Sequence, residues 1–269
     1  MNLPETRRVM KIAMEKNMKD YLAMDKQIIK DTISYLKNLQ SEVRSAMISA
    51  DGFDLAHLNS INAEINSALI RFQNKLITTV KAGQVSSWDL GIRAVDDPLL
   101  AAQIHSALPL LSDTQLVMFQ NFSVDLITGI TNDARQSIKN QIQLSMVGDK
   151  NIYDTAKIID RIIGTKDEVG VTAKAVKIAR TELGRVNAAG SQLRMEQAKE
   201  QVPSMKKQWV SGNNPRDTHK AADGQVVDVD EPFMVGGYEA MYPRDPGLPA
   251  EEVVNCDCNS YPYFEEAPE

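Results

Sequence analysis

Residues 171–201 read VTAKAVKIARTELGRVNAAGSQLRMEQAKEQ, and their spacing sets the requirements for the rest of the chain. Val176, Ala179, Leu183, Val186, Gly190 and Leu193 alternate steps of three and four residues, the period of a helix whose seam packs into other helices. Beside this seam runs a second stripe, Arg180, Gly184, Asn187, Ser191 and Arg194, in which small residues alternate with hydrogen-bonding ones. Small positions let another backbone come close, and polar ones satisfy its exposed groups. The spacing therefore predicts a helix with a helical body against one face and a less regular module against the other.

The module begins at Pro203, where the composition changes. Residues 203–269 hold 8 of the 11 prolines and 7 of the 15 aromatic residues. Short apolar runs at Gln208-Trp209-Val210, Gln225-Val226-Val227 and Phe233-Met234-Val235, bounded by Gly, Pro, Asn and Asp, predict short strands and tight turns. A unit this small buries little on its own, so it needs a staple or the preceding helix as a platform. Within it, Asn214-Pro215 reads as a helix start and Gly224 as the residue after the end. A helix over 216–223 would place His219 and Asp223 on one face.

Upstream, Ile29, Ile33, Leu36, Val43 and Met47 make one helical stripe, ending at Asp51-Gly52. Leu58, Ile61, Ile65, Leu69, Phe72 and Leu76 make another, and the two predict an antiparallel hairpin of long helices. Residues 5–24 read either as an amphipathic helix or as an arm that orders on a partner. Residues 84–111, interrupted by Asp96-Asp97-Pro98 and Pro109, predict short helices and turns. Ser112 with Gln115 forms a capping-box signature before a long helix ending near Gly148, and a shorter helix follows over 153–163. The fold class is α+β, mainly α: a helical body over 1–150, supporting helices over 151–202 and a small β-rich module over 203–269.

Several function classes are disfavoured by the totals. With 43% hydrophobic and 25% charged residues the chain is of globular composition, and no apolar run approaches the roughly 20 residues needed to cross a bilayer. The amino terminus lacks the apolar core of a secretory signal, so synthesis in the cytoplasm is expected. The net charge of −6 disfavours a general or sequence-specific nucleic-acid binder, which needs a cationic surface. Residues 203–269 carry 5 Lys and Arg against 13 Asp and Glu, a net of −8, and the remainder carries 25 against 23.

Two cysteines, Cys256 and Cys258, are too close in sequence for an unstrained mutual disulfide and read as free thiols or metal ligands. With His219, and with Asp223 as a candidate fourth ligand, they fit structural zinc, which favours thiolate and imidazole. The alternative is that His219 hydrogen-bonds a backbone while the cysteines act as small buried apolar residues. A third use, with His219 as base and a cysteine as nucleophile, lacks a visible oxyanion hole or orienting partner, and the alternative function is a metal-dependent hydrolase or nuclease built from His219, Asp223 and the cysteines. Trp209 reads as a core anchor, and Arg180, Glu182, Asn187, Arg194 and Arg216 as docking residues. His57 and His105 are expected to be structural.

The order Ile178-Ala179-Arg180-Thr181-Glu182, Asn187, Lys207-Gln208-Trp209, Pro215-Arg216-Asp217-Thr218-His219, Asp223-Gly224-Gln225, Tyr242-Pro243, Pro249-Ala250 and Asn255-Cys256-Asp257-Cys258 resembles the minor head protein family of tailed bacteriophages. These are the phage Mu F-like, or head morphogenesis, proteins. Asp257 departs from the pattern, since the family usually has Arg between the two cysteines. The resemblance implies a virion protein of low copy number, bound inside the head at the portal vertex and acting in head assembly and genome delivery. Its implied partners are the portal protein and the major capsid protein, with packaged DNA nearby. Read from the residues themselves, a long helical body presenting a compact acidic module is a scaffold or adaptor rather than an enzyme, with no cofactor or a structural zinc alone.

Overall fold

The computed structural model describes residues 1–48, 55–104, 108–148, 152–164 and 170–266. His105 and the turn at 51–54 lie outside the described residues, as does the side chain of His57. Two very long helices come first, α1 (Leu3–Ile48) and α2 (Leu55–Ala101). Three more follow, α3 (Thr114–Val147), α4 (Ile152–Ile163) and α5 (Gly170–Lys199). The mainly α, α+β class expected from the sequence holds.

The chain forms two compact units assembled from separated stretches. One comprises residues 27–81 and 120–179 and is entirely helical among its described residues. Its core takes Leu36, Leu39, Val43 and Met47 from α1 and Ile61, Ile65, Leu69, Phe72 and Leu76 from α2. Ile127, Ala134, Ile138 and Ile142 of α3 join them, with Ile159 and Ile163 of α4 and Val171, Ala175 and Ala179 of α5. Tyr35 meets Thr79 and Arg71 meets Glu42, so α1 and α2 run antiparallel here, as their stripes predict. Ile33, placed on the stripe by its spacing, is exposed at 36%, and Leu39 takes the buried position instead.

The other unit comprises residues 1–26, 82–119 and 180–269. Residues 3–26 are part of α1, which answers the choice between helix and arm. The expectation of short helices and turns over 84–111 is corrected: α2 continues to Ala101 with Pro98 inside it. Proline removes one backbone donor and crowds the carbonyl four residues before it, but only the last turn bears that cost. Meanwhile Trp88, Val95, Leu99 and Ala102 are buried along a helical face, and that packing carries the helix through.

After α5 the polar, proline-rich tail forms β1 (Lys206–Val210), α6 (Asp217–Ala222), β2 (Val226–Asp228), β3 (Phe233–Val235), β4 (Tyr238–Ala240), α7 (Ala250–Val253) and β5 (Asn259–Tyr263). One antiparallel sheet has the order β2-β1-β5, and β3 pairs with β4 in a second. Gly236 (φ +60°) and Gly237 (φ +86°) join β3 to β4, a two-residue link in which both residues need the left-handed region. The period of two puts Lys207 and Trp209 on the buried face of β1. Trp209 is fully buried and meets Phe233 edge-on at 5.4 Å, centring a core that also includes Val235, Leu248, Val253, Cys256 and Cys258.

A buried histidine and cysteine cluster as candidate metal centre

His219 lies on α6, whose start differs from the expected one. The helix begins at Asp217 with Arg216 as its N-cap residue, and no side chain caps it. Asn214 and Pro215 lie before it. Asp223 falls beyond its end, where its carboxylate accepts the Ser211 N–H at 2.8 Å, so it does not share a helical face with His219. Gly224, at φ +79°, then turns the chain into β2, as its position predicts.

The two cysteines sit on the loop between α7 and β5. Asn255, in the left-handed region at φ +55°, donates its N–H to Thr181 Oγ1 of α5 at 3.3 Å. Arg244, 1% exposed, grips the same loop from behind: Nε donates to Cys256 O at 2.6 Å, and Nη1 donates to Cys258 O and Gly184 O, both at 3.1 Å. Gly184 is required here because a Cβ would stand 2.4 Å from Arg244 Cζ. The loop is therefore held largely by groups other than the sulfurs, with Cys256 Sγ accepting the Cys258 N–H at 3.4 Å.

Thus positioned, His219 Nδ1 stands 3.3 Å from Cys258 Sγ and 3.6 Å from Cys256 Sγ. The three donor atoms lie within 4.8 Å of one another, and their residues are no more than 2% exposed. Both thiols are free. The other ring nitrogen, Nε2, lies 2.8 Å from Glu252 Oε2 of α7 but off the line of a proper hydrogen bond. Thr218 Oγ1 donates to that same carboxylate oxygen at 2.9 Å. Trp209 closes the pocket, its ring 5.8 Å from the imidazole and nearly perpendicular to it.

The electrostatics follow from these contacts. The hydrogen bond with Cys256 raises the His219 pKa against the opposing effect of burial, and Glu252 adds to the rise. The hydrogen bond from Cys258 holds the Cys256 thiol well below its ordinary range against burial, helped by the Arg244 charge and His219. Cys258 is pushed up, first by that same hydrogen bond and then by burial. One sulfur of the pair therefore carries the negative charge. Two sulfurs and an imidazole suit a borderline-soft divalent ion.

The stripe on α5 is divided among several partners. Gly184 and Ser191 face the tail, Ser191 Oγ lying 3.4 Å from Ser260 O. Asn187 instead donates to Ser87 O of α2 at 3.1 Å, and Arg194 makes a two-pronged pair with Asp96 of α2 at 2.7 Å and reaches Pro109 O at 2.8 Å. Arg180 lies 3.7 Å from Asp25 of α1. Glu182, 2% exposed, pairs with Arg185 at 3.3 Å, and burial raises its pKa despite that partner. Arg216 donates to Val254 O, at the end of α7.

Sequence reasoning passed over Glu252, Arg244 and Lys207. The available signal was rarity, since residues 203–269 contain only five Lys and Arg. Lys207 is fully buried, its Nζ donating to Met241 O at 2.8 Å and Gln192 Oε1 at 3.2 Å and standing 4.9 Å from the Phe233 ring centre. Burial pushes its pKa down to about 8. On the other face of the sheet a groove of about 670 Å³ runs between Met10, Met14, Met18 and Leu22 of α1 and Gln208, Val210 and Tyr261.

Sequence comparison finds a match over the part of the chain that carries this cluster. Residues 135–261, from within α3 to within β5, match the family described as Phage Mu protein F like protein. That stretch, 127 of the chain's 269 residues, is what the chain shares with the family. The chain is also 29% identical over 217 residues to the NAD(+)--arginine ADP-ribosyltransferase EFV of Enterococcus faecalis, a match covering 77% of this chain and 43% of that protein. It is 42% identical over 84 residues to the uncharacterized protein YqbB of Bacillus subtilis, covering 29% of this chain and 28% of that one. The matches therefore span less than half of each of these relatives. No solved structure gives a significant match.

Proposed function

We propose that this protein is a minor capsid protein of a tailed bacteriophage, held in few copies inside the head at the portal vertex and acting in head assembly and genome delivery. The observation that carries the proposal is the family match over residues 135–261, which takes in α5 and nearly all of the tail module docked on it. Its partners are other head components, the portal protein first and the major capsid protein second. The net charge of −8 over residues 203–269 supports a protein partner, because packaged DNA would repel that module. The groove beside α1, with three methionines on one wall, is the kind of adaptable apolar surface that a partner's side chains fill.

The chain itself is proposed to catalyse nothing. A hydrolase or nuclease built on His219 and the cysteines would need a substrate to reach residues that are 98% or more buried. The activity in the Enterococcus faecalis relative's name is assigned, on this proposal, to the part of that protein beyond the match, since the match covers 43% of it.

The test is co-expression of the full chain with the portal protein of the same phage, followed by affinity capture. Co-purification through size-exclusion chromatography is expected, and phage lacking the chain should assemble heads poorly. Portal and capsid proteins that both fail to bind, with normal heads in the deletion phage, would refute the proposal. So would transfer of ADP-ribose from NAD to an arginine substrate by the purified chain.

A further inference from the structure

We propose that His219, Cys256 and Cys258 bind one zinc ion as a structural clasp between α6 and the loop preceding β5, with Glu252 orienting the histidine. Three soft or borderline donors converge within 4.8 Å, and all three come from buried residues. Nδ1 is the ring nitrogen that faces both sulfurs, while Nε2 faces Glu252 Oε2 at 2.8 Å. A carboxylate on the far nitrogen is the usual means of fixing the orientation and tautomer of a metal-bound imidazole. Thr218, holding the same carboxylate oxygen at 2.9 Å, fixes the orienting group in turn.

The ligand loop is preorganised independently of any ion. Arg244 takes the carbonyls of Cys256 and Cys258, and Thr181 takes the Asn255 N–H, so neither sulfur needs to hold the loop in place. In the bound form both cysteines are thiolates, and their two charges balance those of the ion. Asp223, the fourth ligand considered from sequence, is occupied by the Ser211 N–H and is not part of the cluster. The fourth coordination position falls to water. Because the site is enclosed by Trp209 and the buried loop, that position is closed to a substrate and the ion serves to join two segments.

The experiment is metal analysis of the full chain purified without chelator, with cobalt substitution as a second readout. One zinc per chain is expected. The cobalt form should show thiolate-to-cobalt charge-transfer absorption and the visible bands of a tetrahedral ion. Cys256→Ser and Cys258→Ser should each lose the stoichiometric metal, whereas Asp223→Asn should retain it. Glu252→Gln should bind zinc about 10- to 100-fold more weakly while its cobalt spectrum stays tetrahedral. A wild-type chain that is folded by circular dichroism yet takes up neither zinc nor cobalt would overturn the proposal, whether or not the serine variants fold. Unchanged zinc affinity in Glu252→Gln would overturn the role assigned to that carboxylate.

Discussion

Lys207 shows how a single side chain can impose a pH dependence on a fold. Its ammonium is fully buried and satisfied by one carbonyl, one amide oxygen and an aromatic face. Burial disfavours the charged form, so the folded pKa lies at about 8 against an ordinary 10.5. The folded state therefore gives up its proton before the unfolded state does, and stability rises with pH between those values. Between pH 8 and 10 this group should add about 2 kcal/mol, measured as the unfolding free energy in urea at each pH. Lys207→Met should remove that rise relative to the parent protein. An unchanged slope in the variant would show that the ammonium is better solvated than its surroundings indicate.

At the scale of elements, α2 and α5 cross in close backbone contact. Ser87 Oγ donates to Leu183 O at 2.6 Å, Asn187 Nδ2 donates back to Ser87 O, and a Cβ on Gly91 would fall 2.2 Å from Asn187 O. Gly91→Ala should therefore destabilise by about 2 kcal/mol despite alanine's better helix propensity, because backbone atoms on both sides cannot yield. Gly129, exposed on α3 with nothing within 4 Å of its missing Cβ, is the control, and alanine there should stabilise by up to about 1 kcal/mol. Urea denaturation of the two variants checks both signs, and a Gly91→Ala protein as stable as the parent would contradict the crossing.

The same crossing shows what the sequence could and could not reveal. The seam of α5 was legible because helical spacing is local, and so were β1, β2 and β3, whose apolar runs stand between turn residues. The continuation of α2 through Pro98 was not, because the proline is a local signal and the burial that overrides it belongs to distant residues. β5 was hidden in the same way. Pro262 argues against a strand, yet β5 sits at the edge of the sheet, where a missing donor is tolerated. For the cluster, His219 and the cysteines were visible as residue types, whereas Asp223 and Glu252 differ only in which of them the fold turns toward the ring.

The β-rich tail takes much of its interior from elsewhere in the chain. Gly184, Ser191 and Gln192 of α5 meet Arg244, Ser260 and Lys207 of the tail, and Val229 and Phe264 pack in one cluster with Met10, Val95, Leu99 and Met195. A fragment of residues 203–269 should therefore show no cooperative thermal transition, and its cysteines should react freely with alkylating reagents. The full chain should protect both thiols until it unfolds. A fragment that melts cooperatively with protected thiols would show that the tail can dispense with the helices around it.

Arg7, in the second turn of α1, donates through Nε and Nη2 to Phe264 O at 3.0 and 2.7 Å and lies 4.7 Å over the Tyr263 ring. The first helix and the last strand thus meet across the length of one arginine side chain. Two segments 257 residues apart in sequence are thereby tied together. Fluorophores attached near residues 7 and 264 would likewise sit within strong energy-transfer range, giving an optical signal that fades when this corner comes apart.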